Sequence, residues 1–207
     1  MQTFGDPRAA LEALLGSAHV TAPTRRALRN RLTCPPVTQP RYFDESAFAA
    51  LTAVCARLIP QPMLSDRVDV AGSIDTRLAD GEGTGWRYAA MPPDGVAHRL
   101  GMQGIDQVAR LRFQVGFTDL GASQQDQVLL SIQHGDVDGG VWSALPAVLF
   151  FEVLLTGAVA AYFSHPLAQH SIGCMALADA KGWQTIELNP HRMPVHTGLA
   201  DLNAAGV

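Results

Sequence analysis

The sequence predicts an all-α fold: a single helical domain of about six to seven helices with a loop-rich C-terminal quarter. Three observations point there. Apolar residues recur three and four apart in segment after segment. Those segments open on capping residues and close on glycines or prolines. No run alternates apolar and polar residues as a half-buried strand does, the short stretch Thr185-Ile186-Glu187-Leu188 apart. At 207 residues the chain has the length of one domain, and no internal repeat is visible.

The elements follow in order. Asp6 before Pro7 is an N-cap with proline at the first helical position, and Leu11, Leu14, Leu15 and Ala18 continue at helical spacing. Pro23 and Thr24 open a second, basic helix through Arg25, Arg26, Arg29 and Arg31, with Leu28 and Leu32 as a thin apolar stripe. Prolines between Cys34 and Pro40 end it. Asp44 caps a third helix, and Phe43 and Phe48 occupy hydrophobic-staple positions around its first turn. That helix runs through Leu51, Val54, Cys55 and Leu58 and stops before Pro60 and Pro62. Asp69 to Leu78 forms a fourth, with Val70, Ile74 and Leu78 on one face and the Gly81, Gly83 and Gly85 turn behind it.

Pro92-Pro93-Asp94 caps a long fifth helix whose predicted inner residues are Val96, Leu100, Ile105, Val108, Leu111 and Val115. Gly101 and Gly104 weaken it by up to ~1 kcal/mol each and imply close approach of a neighbouring helix. The sixth spans Ser123 to Gln133, with Ser123 and Asp126 at capping-box spacing, Val128, Leu129 and Ile132 inward, and His134-Gly135 as its close. The seventh is the apolar run from Pro146 to Phe163. Beyond it the pattern dissolves into irregular chain up to Trp183.

Composition narrows the function classes. Charged residues are only 16% of the chain against the usual ~25%, and 47% is hydrophobic, which excludes a disordered, collagen-like or polybasic protein. A net charge of -4 leaves no footprint for nucleic acid or an anionic membrane. Lys181 is the only lysine among the basic residues, a bias that GC-rich coding produces without functional pressure. Cys34, Cys55 and Cys174 fit neither a disulfide framework nor a paired-cysteine metal pattern, so they read as free thiols, with Cys55 inert in its apolar helix. The N-terminus lacks a secretory pattern, and the twin Arg25-Arg26 is followed by polar residues and prolines, so no export signal is legible and a cytoplasmic location is expected. Leu145 to Phe163 falls short of a membrane span, with Glu152 near its middle and no basic flank, and reads as a buried core helix.

Few constellations carry chemistry. The loop around Asp136 and Asp138 resembles a calcium loop but has Ala147 where a bidentate Glu belongs. His165 and His170 are five apart, as are His191 and His196, which does not place two imidazoles on one helical face. No phosphate loop, nucleophile elbow or dinucleotide fingerprint occurs. Glu152, between Phe151 and Val153, is expected to be a buried carboxylate, paired with Arg57, Arg110 or Arg112 or else serving as a contact or proton-handling group.

The ordered set Phe48-x2-Leu51-x3-Cys55-x-Arg57-Leu58-Ile59-Pro60, Val70-Ala71 with Ile74-Asp75, Phe117-x2-Leu120, the helix bearing Gln124, Gln125 and Gln127, Phe150-Phe151-Glu152, Tyr162-Phe163-Ser164-His165-Pro166, Ile172-Gly173 and Gly182-Trp183 resembles the gluconate 2-dehydrogenase subunit 3 family. The likeness runs from about Asp44 to Leu188. It implies an N-terminal helical extension and Pro-rich linker over 1–40, the family-like helical domain over 41–190 and a tail over 191–207. It also implies a small subunit with no catalytic residue, metal or cofactor of its own, bound to a large FAD-containing glucose-methanol-choline type dehydrogenase for a sugar, sugar acid or polyol, with a cytochrome c subunit as a further partner. Neither nucleic acid nor direct membrane insertion is expected. The small subunit would support folding, stability or export, reaching the periplasm only if carried by a signal-bearing partner.

Candidate partner contacts are Tyr162, Ser164, His165, Pro166, Gly182 and Trp183, where regular structure is expected to stop and large amphipathic side chains favour interfaces. The alternative is a free-standing ligand-binding protein or small enzyme with a pocket near Glu152, His165 and His170. The segment after Ser-His-Pro, His170-Ser171-Ile172-Gly173-Cys174-Met175, departs from the glycine- and asparagine-rich turn common among relatives.

Overall fold

Capping chemistry sets where the helices begin. A computed structural model describes residues 7–17, 20–61, 67–83 and 88–172. Among them lie eight α-helices, two short 3-10 helices and no strand: α1 (Pro7–Gly16), α2 (Ala22–Leu32), α3 (Glu45–Leu58), α4 (Val70–Ala79), α5 (Asp94–Phe113), α6 (Ala122–His134), α7 (Ala147–Phe163) and α8 (Pro166–Ser171). Asp44 starts α3 by accepting the Ala47 N–H at 2.7 Å, and Asp69 starts α4 by accepting the Gly72 N–H at 2.8 Å. Gly135 ends α6 in the left-handed conformation (φ 75°), with its N–H and that of Asp136 returned to the last turn. The expected cap at Asp6 lies outside the described residues.

Two caps differ from expectation. Asp94 is the first residue of α5, after an N-cap at Pro93, and its carboxylate sits 3.7 Å from Arg77. At α6 the N-cap is Gly121, whose N–H donates to the Gln124 side chain at 3.2 Å. Asp126 instead makes a two-pronged ion pair with Arg57 of α3, both bonds at 2.7 Å.

Helices α3 to α7 surround the main core, α3 packing on α4 and α5, and α7 on α4 and α6. Leu51, Val54, Ile74, Ile105, Val128, Ile132, Phe150 and Leu154 are almost wholly buried, each worth about 1.5–3 kcal/mol of transfer free energy. The inner face of α5 is not the large apolar stripe expected. Val96, Leu111 and Val115 are exposed, and Ala97, Gly101, Met102, Gly104, Ile105, Val108 and Ala109 face inward. Small residues are needed because the Phe150 ring of α7 lies where a Cβ of Gly101 would be, and the Trp142 ring of the 3-10 helix Gly140–Ser143 does the same at Gly104. Close approach is the reason for both glycines.

A second, smaller apolar cluster joins Leu11 and Leu15 of α1, Val20, and Leu28 and Leu32 of α2 to Leu167 of α8. Arg25 organises it. Its guanidinium donates to the carbonyls of Leu15, Ser17 (3.1 Å) and Val20 (2.9 Å), closing the turn between α1 and α2. The Arg25-Arg26 pair is thus part of a folded helix.

Glu152 requires a correction. It lies on the exposed side of α7 and accepts the Tyr88 hydroxyl at 2.8 Å, while Arg57 and Arg110 are taken by Asp126 and Asp106. The buried side of α7 is Phe150, Phe151, Leu154 and Ala158, so its apolar composition continues around a partly solvated face. No helix among the described residues is long and apolar enough to cross a membrane.

Candidate interaction surface

The corner between α7 and α8 carries four of the six predicted contact residues. The α7 helix ends at Phe163, whose ring meets Tyr162 edge-on with centroids 5.0 Å apart. Ser164 is exposed and donates to the Ala161 carbonyl at 2.7 Å. The chain then turns into α8, an element the sequence pattern did not disclose: His165 is its N-cap, accepting the Leu167 N–H at Nδ1 (3.3 Å), and Pro166 is its first residue. Pro166, Leu167 and Ala168 are buried, so within this corner Tyr162, Ser164 and His165 remain accessible while Pro166 serves the fold. His170 is half-buried with no partner at Nδ1. Gly182 and Trp183 lie outside the described residues, as does Cys174.

Ser164 and His165 border a solvent-open groove of about 760 Å³ that follows the seam between α4, the linker after α2, and the α7–α8 corner. Its lining includes His165 but neither Glu152 nor His170. Arginines 8, 31, 67 and 77 line it, above an apolar floor that includes Leu32, Val37, Val68 and Leu167. Arg77 is engaged, donating to the Glu82 carbonyl at 3.1 Å and facing Asp94.

Two aspartates, Asp69 capping α4 and Asp75 within it, hold the chain between α2 and α3, and Asp69 also lines the groove. Asp69 accepts the Val37 N–H at 2.7 Å besides capping its own helix. Asp75, fully buried, accepts three successive backbone N–H groups: Arg41 at 2.7 Å and Tyr42 and Phe43 at 3.0 Å each. A buried carboxylate persists only when donors replace its water, and here the linker backbone supplies them. Gly72 lies one turn from Asp69 because a Cβ there would strike the Asp69 carboxylate and Val37. These roles went unread in the sequence, although Asp75 shares a helical face with Ala71 and Leu78, which was the available signal.

Other titratable groups are structural. His98 is fully buried on α5, its Nδ1 2.7 Å from the Asp94 carbonyl and its Nε2 without a partner. Burial holds its pKa below the ordinary imidazole value, with Arg77 adding to the effect, against the opposing bond to Asp94. Burial pushes the Cys55 thiol up to about 12, helped by Asp69, which makes it inert, whereas Cys34 is exposed. Hydrogen bonding to Glu152 raises Tyr88, and hydrogen bonding to Arg57 lowers Asp126. No group of three or more His, Cys, Asp or Glu among the described residues is placed to hold a metal ion.

The described residues thus form an all-helical scaffold with an open groove beside the Ser164-His165 corner. The sequence matches the family Gluconate 2-dehydrogenase subunit 3 over residues 45–203, most of its length, and the chain belongs to that family. No curated protein and no solved structure matches it.

Proposed function

We propose that this chain is a non-catalytic small subunit that binds and stabilises, or helps mature or export, an FAD-dependent glucose-methanol-choline type dehydrogenase acting on a sugar, sugar acid or polyol. Family membership carries the reading, because the family is defined as one subunit of a multi-subunit enzyme. On this reading the FAD resides in the large partner, a cytochrome c subunit is a further member of the complex, and substrate never touches this chain. The accessible Tyr162, Ser164 and His165 are the described part of the contact, joined by Gly182 and Trp183. The chain works in the cytoplasm or, carried by a signal-bearing partner, in the periplasm.

Affinity purification at native expression level, followed by mass spectrometry and an absorbance scan, tests this. A large flavoprotein with flavin absorbance should co-purify. A colourless chain recovered alone in repeated gentle preparations would sink the proposal.

A further inference from the structure

The groove between α4, the 34–37 linker and the α7–α8 corner is too well built to be incidental to the fold. The Asp69 hydrogen bond to the Val37 N–H joins two of its walls, and its volume of about 760 Å³ falls within the range of sites that hold a ligand. Its charge runs against that of the molecule. The chain carries a net charge of -4, yet four arginines gather here. Two of the three acids in the lining are already committed: Asp69 holds two backbone N–H groups and Asp80 pairs with Arg41 at 2.7 Å, which leaves Glu82 as the one lining carboxylate without a side-chain bond among the described residues, against the four arginines. Arg31 and Arg67 make no ion pair among the described residues.

Pro35 and Pro36 also line the groove and offer no backbone N–H, so an occupant cannot be held there by adding a strand. It must be read through side chains: a cationic rim for carboxylates, and Leu32, Val37, Val68 and Leu167 for apolar groups. We infer that the groove receives an acidic, partly apolar segment of the flavoprotein subunit, its carboxylates paired with Arg31 and Arg67. This rests on the subunit reading above and adds where, and by what chemistry, the large subunit is gripped.

The test uses the full chain and the flavoprotein identified by co-purification. Arg31→Glu with Arg67→Glu should weaken binding by about tenfold or more and flatten its salt dependence, because rim charges act through screened electrostatics. The pair Arg31→Gln with Arg67→Gln should lie between it and the parent, and serves if the reversal disturbs folding, which circular dichroism reports. Arg26→Glu with Arg112→Glu makes the same change in net charge on exposed positions outside the groove and should leave binding within about threefold of the parent.

If the groove variants bind as tightly as the parent, or the control pair weakens binding equally, the groove assignment is overturned while the subunit reading stands. If the parent chain captures no flavoprotein, the subunit reading fails and the groove assignment falls with it.

Discussion

Asp75 and Phe43, thirty-two positions apart, meet through a buried hydrogen bond of 3.0 Å from the Phe43 N–H to the Asp75 carboxylate. The same carboxylate takes the N–H groups of Arg41 and Tyr42, so one side chain of α4 sets the path of the chain into α3. It also delivers Phe43 to the main core.

Asp75→Ala should therefore be among the most damaging single substitutions. It leaves three donors without an acceptor, and hydrogen bonds to charged groups contribute ~1.5–3 kcal/mol each without full additivity, so a loss of about 3–5 kcal/mol is expected. Urea unfolding measures it. A loss below about 1 kcal/mol would show that water replaces the carboxylate freely.

Alanine at two glycines should act with opposite sign. Gly101→Ala drives a methyl into the Phe150 ring and should cost about 1–3 kcal/mol less the helix-propensity gain, whereas Gly157→Ala meets only the Arg77 guanidinium at ordinary contact distance and should stabilise by about 0.5–1 kcal/mol. Thermal melts of both variants decide it, and equal signs would contradict the packing described.

His98 sets a pH dependence. Burial lowers its folded pKa, so below about 6.5 the unfolded chain binds a proton that the native protein refuses, and stability falls as pH falls. The contribution is fully present above that value. The slope from one such group is at most about 1.4 kcal/mol per pH unit. Urea midpoints between about pH 5 and about pH 7.5, which bracket the ordinary imidazole value, should show a steeper fall for the parent than for His98→Phe. Parallel curves would show that His98 charges freely in the folded protein.

The thiols should separate by reactivity. Cys34 should alkylate rapidly in the native protein, and Cys55, with its pKa pushed up to about 12 by burial, only after denaturation. Peptide mapping after native and denatured labelling reads each site, and native labelling of Cys55 would show that α3 opens locally.

Arg25→Ala should loosen the α1–α2 turn selectively, because the carbonyls of Leu15, Ser17 and Val20 lose a shared donor that no part of the main core supplies. Limited proteolysis should cut near that turn while the main melting transition holds. A uniform drop in the whole transition would mean that the two apolar clusters unfold as one.

Local signals made most helices legible. Asp44, Asp69 and Gly135 have short-range capping chemistry visible in the residues themselves. What local pattern missed depends on distant partners. The apolar run around Glu152 reads as buried, but one side of α7 is left exposed, and there the carboxylate meets the Tyr88 hydroxyl, sixty-four positions away. Helix α8 is too short for periodicity to register and is held by Leu167 docking on α1 and α2. The end of the apolar helix at Phe163 was readable in the sequence, whereas the groove arises from the 34–37 linker meeting the start of α4 through Asp69.

Leu167 also has a bearing on how the chain is made. The cluster formed by Leu11, Leu15, Leu28 and Leu32 is completed by a residue 135 positions after Leu32. At ~5–20 residues per second, synthesis of the intervening chain takes on the order of 10 s. Helices α1 and α2 are therefore made well before Leu167 can join them, and for that interval they present leucines to whatever chaperone attends the nascent chain.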